Sequence, residues 1–332
     1  MKVAVFSSKN YDIKYLNEAN EAKGNMHELS FFEPRLTYDT LSMAYGYKVI
    51  SAFVNDRIDR NVLEKLKKNG TEMIAMRSAG FNNVDIKAAK EFGISITRVP
   101  AYSPNAVAEH TVALILALNR KVHKAYNRVR EGNFSLDGLM GFDLAGKTVG
   151  IIGTGKIGQN VARILKGFDT KIIAYDKYKN PEFEKYDAEY TDLDTLFEKS
   201  DIISLHCPLL PETYHIINKR AIGIMKEGVM IINTSRGELI DTLDVVEGLK
   251  NRKIGYLGLD VYEEEEDLFF KDMSDIVITD DVFSRLITFP NVIVTGHQAF
   301  FTENAIKNIS EVTINSITEF ENSETLTNEI II

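Results

Sequence analysis

The sequence predicts an α/β protein of two domains, each built around a parallel β-sheet. Short apolar runs rich in β-branched residues alternate along the chain with segments of helical period, which is the pattern of βαβ units. A glycine-rich loop follows one of these apolar runs at Gly153, in the middle of the chain. A full set of strands and helices therefore precedes it, and 332 residues are enough for two cores.

The first hundred residues have the pattern of a flavodoxin-like domain. Amphipathic segments over 57–69 and 84–92 separate its apolar runs. The chain reads Ser7-Ser8-Lys9-Asn10 after the first strand, with no glycine-rich loop, so this half is expected to bind no nucleotide of its own. The predicted strands are 2–7, 27–32, 48–54, 73–77 and 95–99.

A segment with a proline at each end, Pro100-Ala101-Tyr102-Ser103-Pro104, interrupts this alternation. Ser103 is a favourable N-cap and Pro104 a favourable first helical residue, so we predict a helix over 105–122. This helix is apolar on most sides and is expected to be buried. The pattern of residues 302–320, near the end of the chain, also predicts a helix. Between the two helices six strands are predicted, at 148–152, 171–175, 202–206, 229–234, 256–261 and 292–295.

Composition limits the classes of partner. The net charge of −9 argues against a nucleic-acid or anionic-membrane partner, because both require a basic face. The longest apolar run, 112–118, is far shorter than the roughly 20 residues of a membrane span. The single cysteine, Cys207, excludes an internal disulfide and a cysteine-based zinc site. We therefore expect a cytoplasmic protein without a metal site, a membrane or a nucleic acid.

The glycine-rich loop, Gly153-Thr154-Gly155-Lys156-Ile157-Gly158, predicts a dinucleotide-binding Rossmann-type domain with a doubly wound parallel sheet. An apolar strand precedes the loop and a helical pattern follows it. Gly153 permits the tight turn, Gly155 lets the backbone approach a pyrophosphate, and Gly158 lets helix and strand pack closely. The helix N-terminus then offers free N–H groups to the phosphates.

Asp176 indicates which dinucleotide is bound. It closes the next strand, 18 positions after Gly158, where a carboxylate accepts hydrogen bonds from ribose hydroxyls and repels a 2′-phosphate. Lys177 and Lys179 follow and soften that repulsion. The prediction is therefore NAD in preference to NADP.

Three candidate catalytic groups follow the later strands of the second series, where the nicotinamide half of the cofactor is expected. Arg236 presents a planar fork that binds a carboxylate, and His297 suits proton transfer near neutral pH. The acidic run 263–267 offers a partner for the histidine, and its spacing alone does not decide which member; we choose Glu265. His206 ends the third predicted strand, on the adenosine side, which argues against a catalytic role. This set suits hydride transfer to a 2-oxo acid.

Several stretches together resemble the D-2-hydroxyacid dehydrogenase family, and within it the bacterial members that act on lactate. The likeness extends from Arg77 to Phe301 and is far more specific than any single motif. It implies NAD-dependent reduction of pyruvate to D-lactate, with Arg236 binding substrate, His297 as acid/base and Glu265, five residues after Asp260, as its partner. The matching stretches are 103–110, the glycine loop, 233–237, 259–263 and 296–300.

The resemblance also implies the remaining contacts and the domain organisation. A substrate domain of residues 1–101 and 299–332 and an NAD-binding domain of residues 102–298 are expected, with the active site in the cleft. Homodimers or homotetramers are expected, with the long helix after Pro104 at the interface. The alternatives are a larger 2-oxo acid as substrate, or an NAD(H)-sensing binding protein of the same fold. The implied cofactor contacts are Lys156, Ile157, Asp176, Cys207, Pro208, Thr213, Thr234, Ser235 and Asp260, and the implied substrate contacts are Ser78, Ala79, Gly80, Tyr102 and Phe300.

Overall fold

The computed structural model describes residues 1–331, and only the backbone of Asp267. The chain forms two compact units. The first consists of Met1–Ser103 and the segment from Phe301 onward, and the second is Pro104–Phe300. These breaks lie two residues beyond the domain boundaries that the sequence predicts.

The first unit contains a five-stranded parallel sheet in the order β2-β1-β3-β4-β5, which is the flavodoxin-like order. All five predicted strands are present, and each is shorter than predicted because its last residues turn into the following loop. The strands are β1 (Lys2–Val5), β2 (Glu28–Phe31), β3 (Val49–Ala52), β4 (Met73–Met76) and β5 (Ser95–Thr97).

Both faces of this sheet are covered, as a parallel sheet requires. Side chains alternate along β1, so that Val3 and Val5 pack into one apolar cluster and Ala4 into the other. Residues of the C-terminal helix, Ile314 and Ile317, complete the first cluster. The helices of this unit are α1 (Asn10–Ala22), α2 (Arg60–Lys68), α3 (Ile86–Phe92) and, from the end of the chain, α11 (Glu303–Glu321).

The second unit contains a seven-stranded parallel sheet in the order β12-β11-β10-β9-β6-β7-β8. Consecutive strands turn back across the sheet between β6 and β9, which is the switch point at which doubly wound sheets bind dinucleotides. The strands are β6 (Thr148–Ile152), β7 (Lys171–Tyr175), β8 (Glu189–Tyr190), β9 (Ile202–Leu205), β10 (Val229–Asn233), β11 (Ile254–Leu259) and β12 (Val292–Val294).

The prediction of six strands in this unit was wrong by one. β8 has only two residues, Glu189 and Tyr190, and so leaves no apolar run in the sequence. The strand that ends at Leu205 is consequently fourth in the sheet, next to β10 and across the switch point from β7. His206 therefore follows a strand of the nicotinamide half, and its assignment to the adenosine half was wrong.

The helix predicted over 105–122 is present as α4 (Pro104–Arg120), and a second helix that was not predicted, α5 (Val122–Arg130), follows it. Lys121 adopts a left-handed backbone conformation with φ of 51°, which ends the first helix and starts the second. The helices of this unit are α4 (Pro104–Arg120), α5 (Val122–Arg130), α6 (Lys156–Lys166), α7 (Leu193–Lys199), α8 (Lys219–Ile224), α9 (Thr242–Lys250) and α10 (Asp281–Leu286). Among the described residues, none of the helices is long and apolar enough to cross a membrane.

Candidate active site

The glycine loop joins β6 to α6, and two of its glycines are required by the packing of the chain itself. Gly153 has φ of 100°, and a Cβ there would overlap the peptide between His206 and Cys207. A Cβ on Gly158 would overlap the carbonyl oxygen of Gly153. A Cβ on Gly155, by contrast, would meet no atom within 4 Å. The space above Gly155 is therefore open to a ligand.

The N-terminus of α6 is suited to an anion. Gly155 is the N-cap residue and has no side chain to accept from the first helical N–H groups, so these donors remain available. Lys156, the first helical residue, is exposed and adds a positive charge, whereas Ile157 packs against the core. These features fit the pyrophosphate of a dinucleotide.

Asp176 follows β7 and is fixed against the glycine loop. Its Oδ2 accepts hydrogen bonds from the Thr154 backbone N–H (2.6 Å) and hydroxyl (2.9 Å), and its Oδ1 accepts from the Tyr178 N–H (3.0 Å). Thr154 is buried and was not predicted; its place between two loop glycines, opposite the acidic residue, is the signal that identifies it. The carboxylate is half-buried and faces the loop that would hold the ribose.

Lys177 and Lys179, the two lysines that follow Asp176, each contact another side chain. Lys177 Nζ forms an ion pair with Glu212 Oε1 at 2.6 Å, which raises the lysine pKa and lowers that of the glutamate. Lys179 Nζ lies over the Tyr190 ring, 5.5 Å from its centroid. The ion pair with Glu212 therefore offsets part of the Lys177 charge, whereas the contact with Tyr190 leaves the charge of Lys179 in place.

The segment after β9 forms a further wall of this region. Cys207 is buried, and burial raises its pKa to about 12, so the thiol is neutral and unreactive near neutral pH. Thr213 donates its hydroxyl hydrogen to the Pro208 carbonyl (2.7 Å) and accepts from the Leu210 N–H (2.8 Å). Its hydroxyl therefore shapes the loop. His206 is kept neutral, because burial lowers its pKa to about 3.

Arg236 follows β10 on a braced turn. Asn233 accepts a hydrogen bond from the Ser235 N–H (3.0 Å) and donates one to the Arg236 carbonyl (2.7 Å). Ser235 donates its hydroxyl hydrogen to the Cys207 carbonyl (2.8 Å), and the Thr234 hydroxyl lies 2.9 Å from that of Thr111 on α4. Asn233 is a second residue that was not predicted, although an amide at a strand end commonly fixes a turn in this way.

Asp260 organises the loop that follows β12. It is fully buried, and its carboxylate accepts from the Thr295 hydroxyl (2.5 Å) and from the N–H groups of Gln298 (2.9 Å) and Ala299 (2.7 Å). Its carbonyl accepts from the His297 N–H (2.7 Å). His297 itself has φ of 52°, a conformation that an L residue adopts only when its surroundings enforce it.

His297 and Glu265 form a direct pair. Nδ1 of the imidazole donates to Glu265 Oε1 at 2.7 Å, and Glu265 Oε2 accepts from the Tyr262 N–H at 2.9 Å. Because Nδ1 is taken, Nε2 is the nitrogen that remains for a substrate. Phe300 lies edge-on to the imidazole, with ring centroids 6.4 Å apart.

The other carboxylates of this region have different surroundings. Glu263 accepts from His215 at 2.6 Å and from the Thr242 hydroxyl at 2.9 Å, and Glu264 is exposed. The pKa of Glu238 is raised by burial and by the nearby charges of Glu265 and Glu263. Of the acidic run, Glu265 is thus the member that contacts His297.

The remaining predicted substrate contacts lie in the first unit. Ser78 donates its hydroxyl hydrogen to the Gly80 carbonyl (2.7 Å), and the Ala79 carbonyl accepts from Arg98 (3.1 Å), which fixes a tight loop after β4. The Tyr102 carbonyl accepts from Asn308 on α11 (2.9 Å), and its side chain is half-buried. Arg236, Glu265, His297, Phe300 and the predicted cofactor residues thus lie in the second unit, where Glu265 contacts His297 directly.

Comparison with known proteins shows which family the chain belongs to. Residues 112–299 match the model of the D-isomer specific 2-hydroxyacid dehydrogenase NAD-binding domain, which is more than half of the chain. The chain belongs to the D-isomer specific 2-hydroxyacid dehydrogenase family. It is therefore an NAD-dependent enzyme, and the family, fold and cofactor predicted from the sequence are confirmed.

Similar proteins include D-lactate dehydrogenases. The chain is 54% identical to D-lactate dehydrogenase of Escherichia coli K12 over 331 residues, covering all of both chains. The apo structure of the E. coli enzyme matches with a TM-score of 0.91 and 52% identity, again over the full length of both. A D-lactate dehydrogenase structure from Aquifex aeolicus with NAD and lactic acid matches with a TM-score of 0.88 and 34% identity, over 99% of both chains.

Proposed function

We propose that this family member is a D-lactate dehydrogenase that reduces pyruvate to D-lactate with NADH. The observation that carries the proposal is the His297–Glu265 pair, with a 2.7 Å bond that involves the loop after β12, in a chain similar over its full length to D-lactate dehydrogenases. NADH, when bound, supplies the hydride. The chain must supply the proton, the substrate orientation and the cofactor site.

His297 is the proposed proton donor. Nε2 gives a proton to the substrate oxygen as the carbonyl is reduced, while Glu265 stabilises the positive imidazolium through Nδ1. In lactate oxidation the same nitrogen takes the proton back. Asp260 contributes by fixing the loop that carries His297, because its carboxylate accepts hydrogen bonds from Thr295, Gln298 and Ala299.

Arg236 is the proposed carboxylate-binding residue. Its guanidinium donates two parallel hydrogen bonds to a carboxylate and polarises the adjacent carbonyl, which a lysine ammonium cannot do with the same geometry. The turn braced by Asn233 fixes the backbone on both sides of it. The backbone of Ser78, Ala79 and Gly80 and the side chains of Tyr102 and Phe300 remain the predicted further substrate contacts.

The cofactor residues divide into two proposed roles. Gly153, Gly155, Lys156, Ile157 and Gly158 hold the pyrophosphate, and Asp176 binds the adenosine ribose. The other residues shape the walls: Pro208 is exposed, and the rest act through backbone groups, since their side chains bond within the chain or are buried. They are Cys207, Pro208, Thr213, Thr234, Ser235 and Asp260. We accordingly propose an NAD-binding domain of residues 102–298 and a substrate domain formed by the rest of the chain.

The proposed assembly is a homodimer or homotetramer in the cytoplasm. The apolar outer face of α5 supports self-association, since large apolar patches on a folded protein commonly mark interfaces.

A panel of 2-oxo acids assayed with NADH and NADPH, with the product resolved by chirality, tests this function. We expect the highest kcat/KM for pyruvate with NADH, and D-lactate as the product. A higher kcat/KM for a branched or aryl 2-oxo acid would assign the larger substrate instead. NADH binding without turnover of any 2-oxo acid would favour the NAD(H)-sensing alternative.

A further inference from the structure

The segment that carries Glu265 holds a second histidine–carboxylate pair. His215 Nε2 lies 2.6 Å from Glu263 Oε1, and Nδ1 of the same ring lies 3.4 Å from Asp241 Oδ2. The His215 side chain is 23% exposed and that of Glu263 is 20% exposed. The imidazole also stacks on Tyr214, with ring centroids 3.9 Å apart. Contacts on both ring nitrogens and one ring face fix the position of this side chain.

The backbone of His215 holds the segment that follows Arg236. The His215 N–H donates to the Glu238 carbonyl at 2.9 Å. Ile217 continues this contact as a parallel bridge to Ile240, in which the Ile217 N–H donates to the Leu239 carbonyl at 3.1 Å. Residues 215–217 therefore lie directly beside the end of the Arg236 turn.

The Arg236 turn and the Glu265 segment are in direct contact near this point. A Cβ on Gly237 would overlap the Tyr262 carbonyl group and the Glu263 nitrogen, so only glycine allows the two backbones to lie this close. Glu263 Oε2 also accepts the Thr242 hydroxyl hydrogen at 2.9 Å, at the start of α9. His215 thus joins the turn through its backbone and the segment through its side chain.

We propose that His215 and Glu263 are positioning residues, which set the guanidinium of Arg236 relative to the Glu265–His297 pair. The inference rests on the proposed function, because it takes Arg236 and His297 as the groups that act on the substrate. Neither His215 nor Glu263 needs to touch the substrate. A displacement of about 1 Å between reacting groups reduces the rate by up to about 100-fold. The contacts of His215 that hold the Arg236 turn against the Glu265 segment therefore matter for turnover.

The test uses the full chain and pyruvate reduction. We expect His215→Leu and Glu263→Ala each to lower kcat/KM for pyruvate by about 10- to 100-fold, through kcat as well as KM. The dissociation constant of NADH, measured by fluorescence, stays within about twofold of wild type, because the glycine loop is unchanged. His215→Gln restores most of the activity, since its amide N–H still reaches Glu263. Glu264→Ala, the exposed neighbour, is the matched control and keeps wild-type activity.

A double variant distinguishes one shared contact from two separate effects. If His215 and Glu263 act through their mutual bond, the double variant His215→Leu, Glu263→Ala loses no more kcat/KM than the more damaging of the two single variants. Wild-type kcat/KM in His215→Leu, additive losses in the double variant, or a proportional loss of NADH affinity would each overturn the proposal. Should His215→Leu fail to fold, the comparison of kcat/KM for pyruvate between Glu263→Ala and Glu264→Ala decides, and equal values would overturn the proposal.

The proposed function has its own readout in the same assay. If the wild-type chain does not reduce pyruvate with NADH, the proposed function fails, whatever the result at His215; if His297→Gln retains wild-type turnover, only the role of His297 as proton donor fails. If His297→Gln is inactive and His215→Leu is as active as wild type, only the positioning inference fails.

Discussion

At the scale of single residues, the reactivity of His297 depends on how it is held. Its left-handed backbone is enforced by the Asp260 carbonyl and carboxylate, and its tautomer is set by Glu265. A residue in this strained conformation is costly to the fold, so the bonds of Asp260 offset that cost. The geometry leaves one imidazole nitrogen for chemistry and fixes where it points.

Replacement of His297 by glutamine should therefore affect chemistry alone. Glutamine preserves size and polarity but cannot deliver a proton, so we expect kcat for pyruvate reduction to fall by about 10²- to 10⁴-fold. Stopped-flow measurement of NADH oxidation in a single turnover gives this rate directly. The dissociation constant of NADH serves as the control and should not change. A wild-type single-turnover rate would exclude His297 as the acid.

Asp176 is the residue expected to select NAD over NADP. Lys177 is paired with Glu212, which offsets part of its charge, and the carboxylate of Asp176 repels a 2′-phosphate. We expect Asp176→Ala to raise the ratio of kcat/KM for NADPH to that for NADH by at least about tenfold. Asp187→Ala, which removes an exposed carboxylate paired with Lys166, is the charge-matched control. An unchanged ratio in Asp176→Ala would refute the assignment.

At the scale of elements, the glycine loop between β6 and α6 contains glycines of two kinds, one required for packing and one that leaves space for a ligand. Gly158 is needed by the fold, since a Cβ there would overlap the Gly153 carbonyl, whereas a Cβ on Gly155 would stand in open space. We expect Gly158→Ala to lower the melting temperature of the free protein. Gly155→Ala should keep the wild-type melting temperature and bind NADH at least about tenfold more weakly. Thermal unfolding and NADH titration of both variants check this, and the reverse pattern would contradict it.

Some elements could be predicted from the sequence and others could not, for physical reasons. The strand, glycine loop and helix around Gly153 have a local signature, because three fixed spacings must satisfy turn, ligand and packing together. β8 was missed because two residues show no period, and this error placed His206 on the wrong half of the sheet. α5 was not predicted, and the left-handed backbone of Lys121 that separates it from α4 leaves no signal in the sequence.

At the scale of the whole molecule, a site residue can be predicted from the sequence when it acts through its side chain and not through its backbone. The glycine loop, Asp176 and the charged catalytic groups are expected to act through fixed glycines or side chains, so their types and spacing are visible in the sequence. The 32-residue separation of Glu265 and His297 is bridged by Asp260, a buried carboxylate whose hydrogen bonds only the structure shows. The Ser78–Gly80 loop is expected to act through its backbone, so only the family resemblance pointed to it.

The assembly predicted for the whole molecule depends on α5 and the residues after it. Val122, Tyr126 and Val129 recur on one face of α5 and are 60%, 60% and 51% exposed, beside a groove of about 990 Å³ against α4. Phe134, Leu136 and Met140, all exposed, extend the same apolar character. This much apolar surface is unusual on a monomer and fits a second copy of the chain.

We expect sedimentation at micromolar concentration to give a dimer or tetramer for the wild-type chain. Tyr126→Glu, which places a charge in the centre of the α5 face, should shift the population to a smaller species, because a buried unpaired carboxylate costs several kcal/mol. Tyr178→Glu, at a tyrosine that is 76% exposed and outside this face, is the matched control and should leave the mass unchanged. A monomeric wild type, or a Tyr126→Glu variant with unaltered mass, would remove α5 from the interface. In that case the exposed face of α5 would need another explanation, since its apolar residues contribute nothing to the core of the unit.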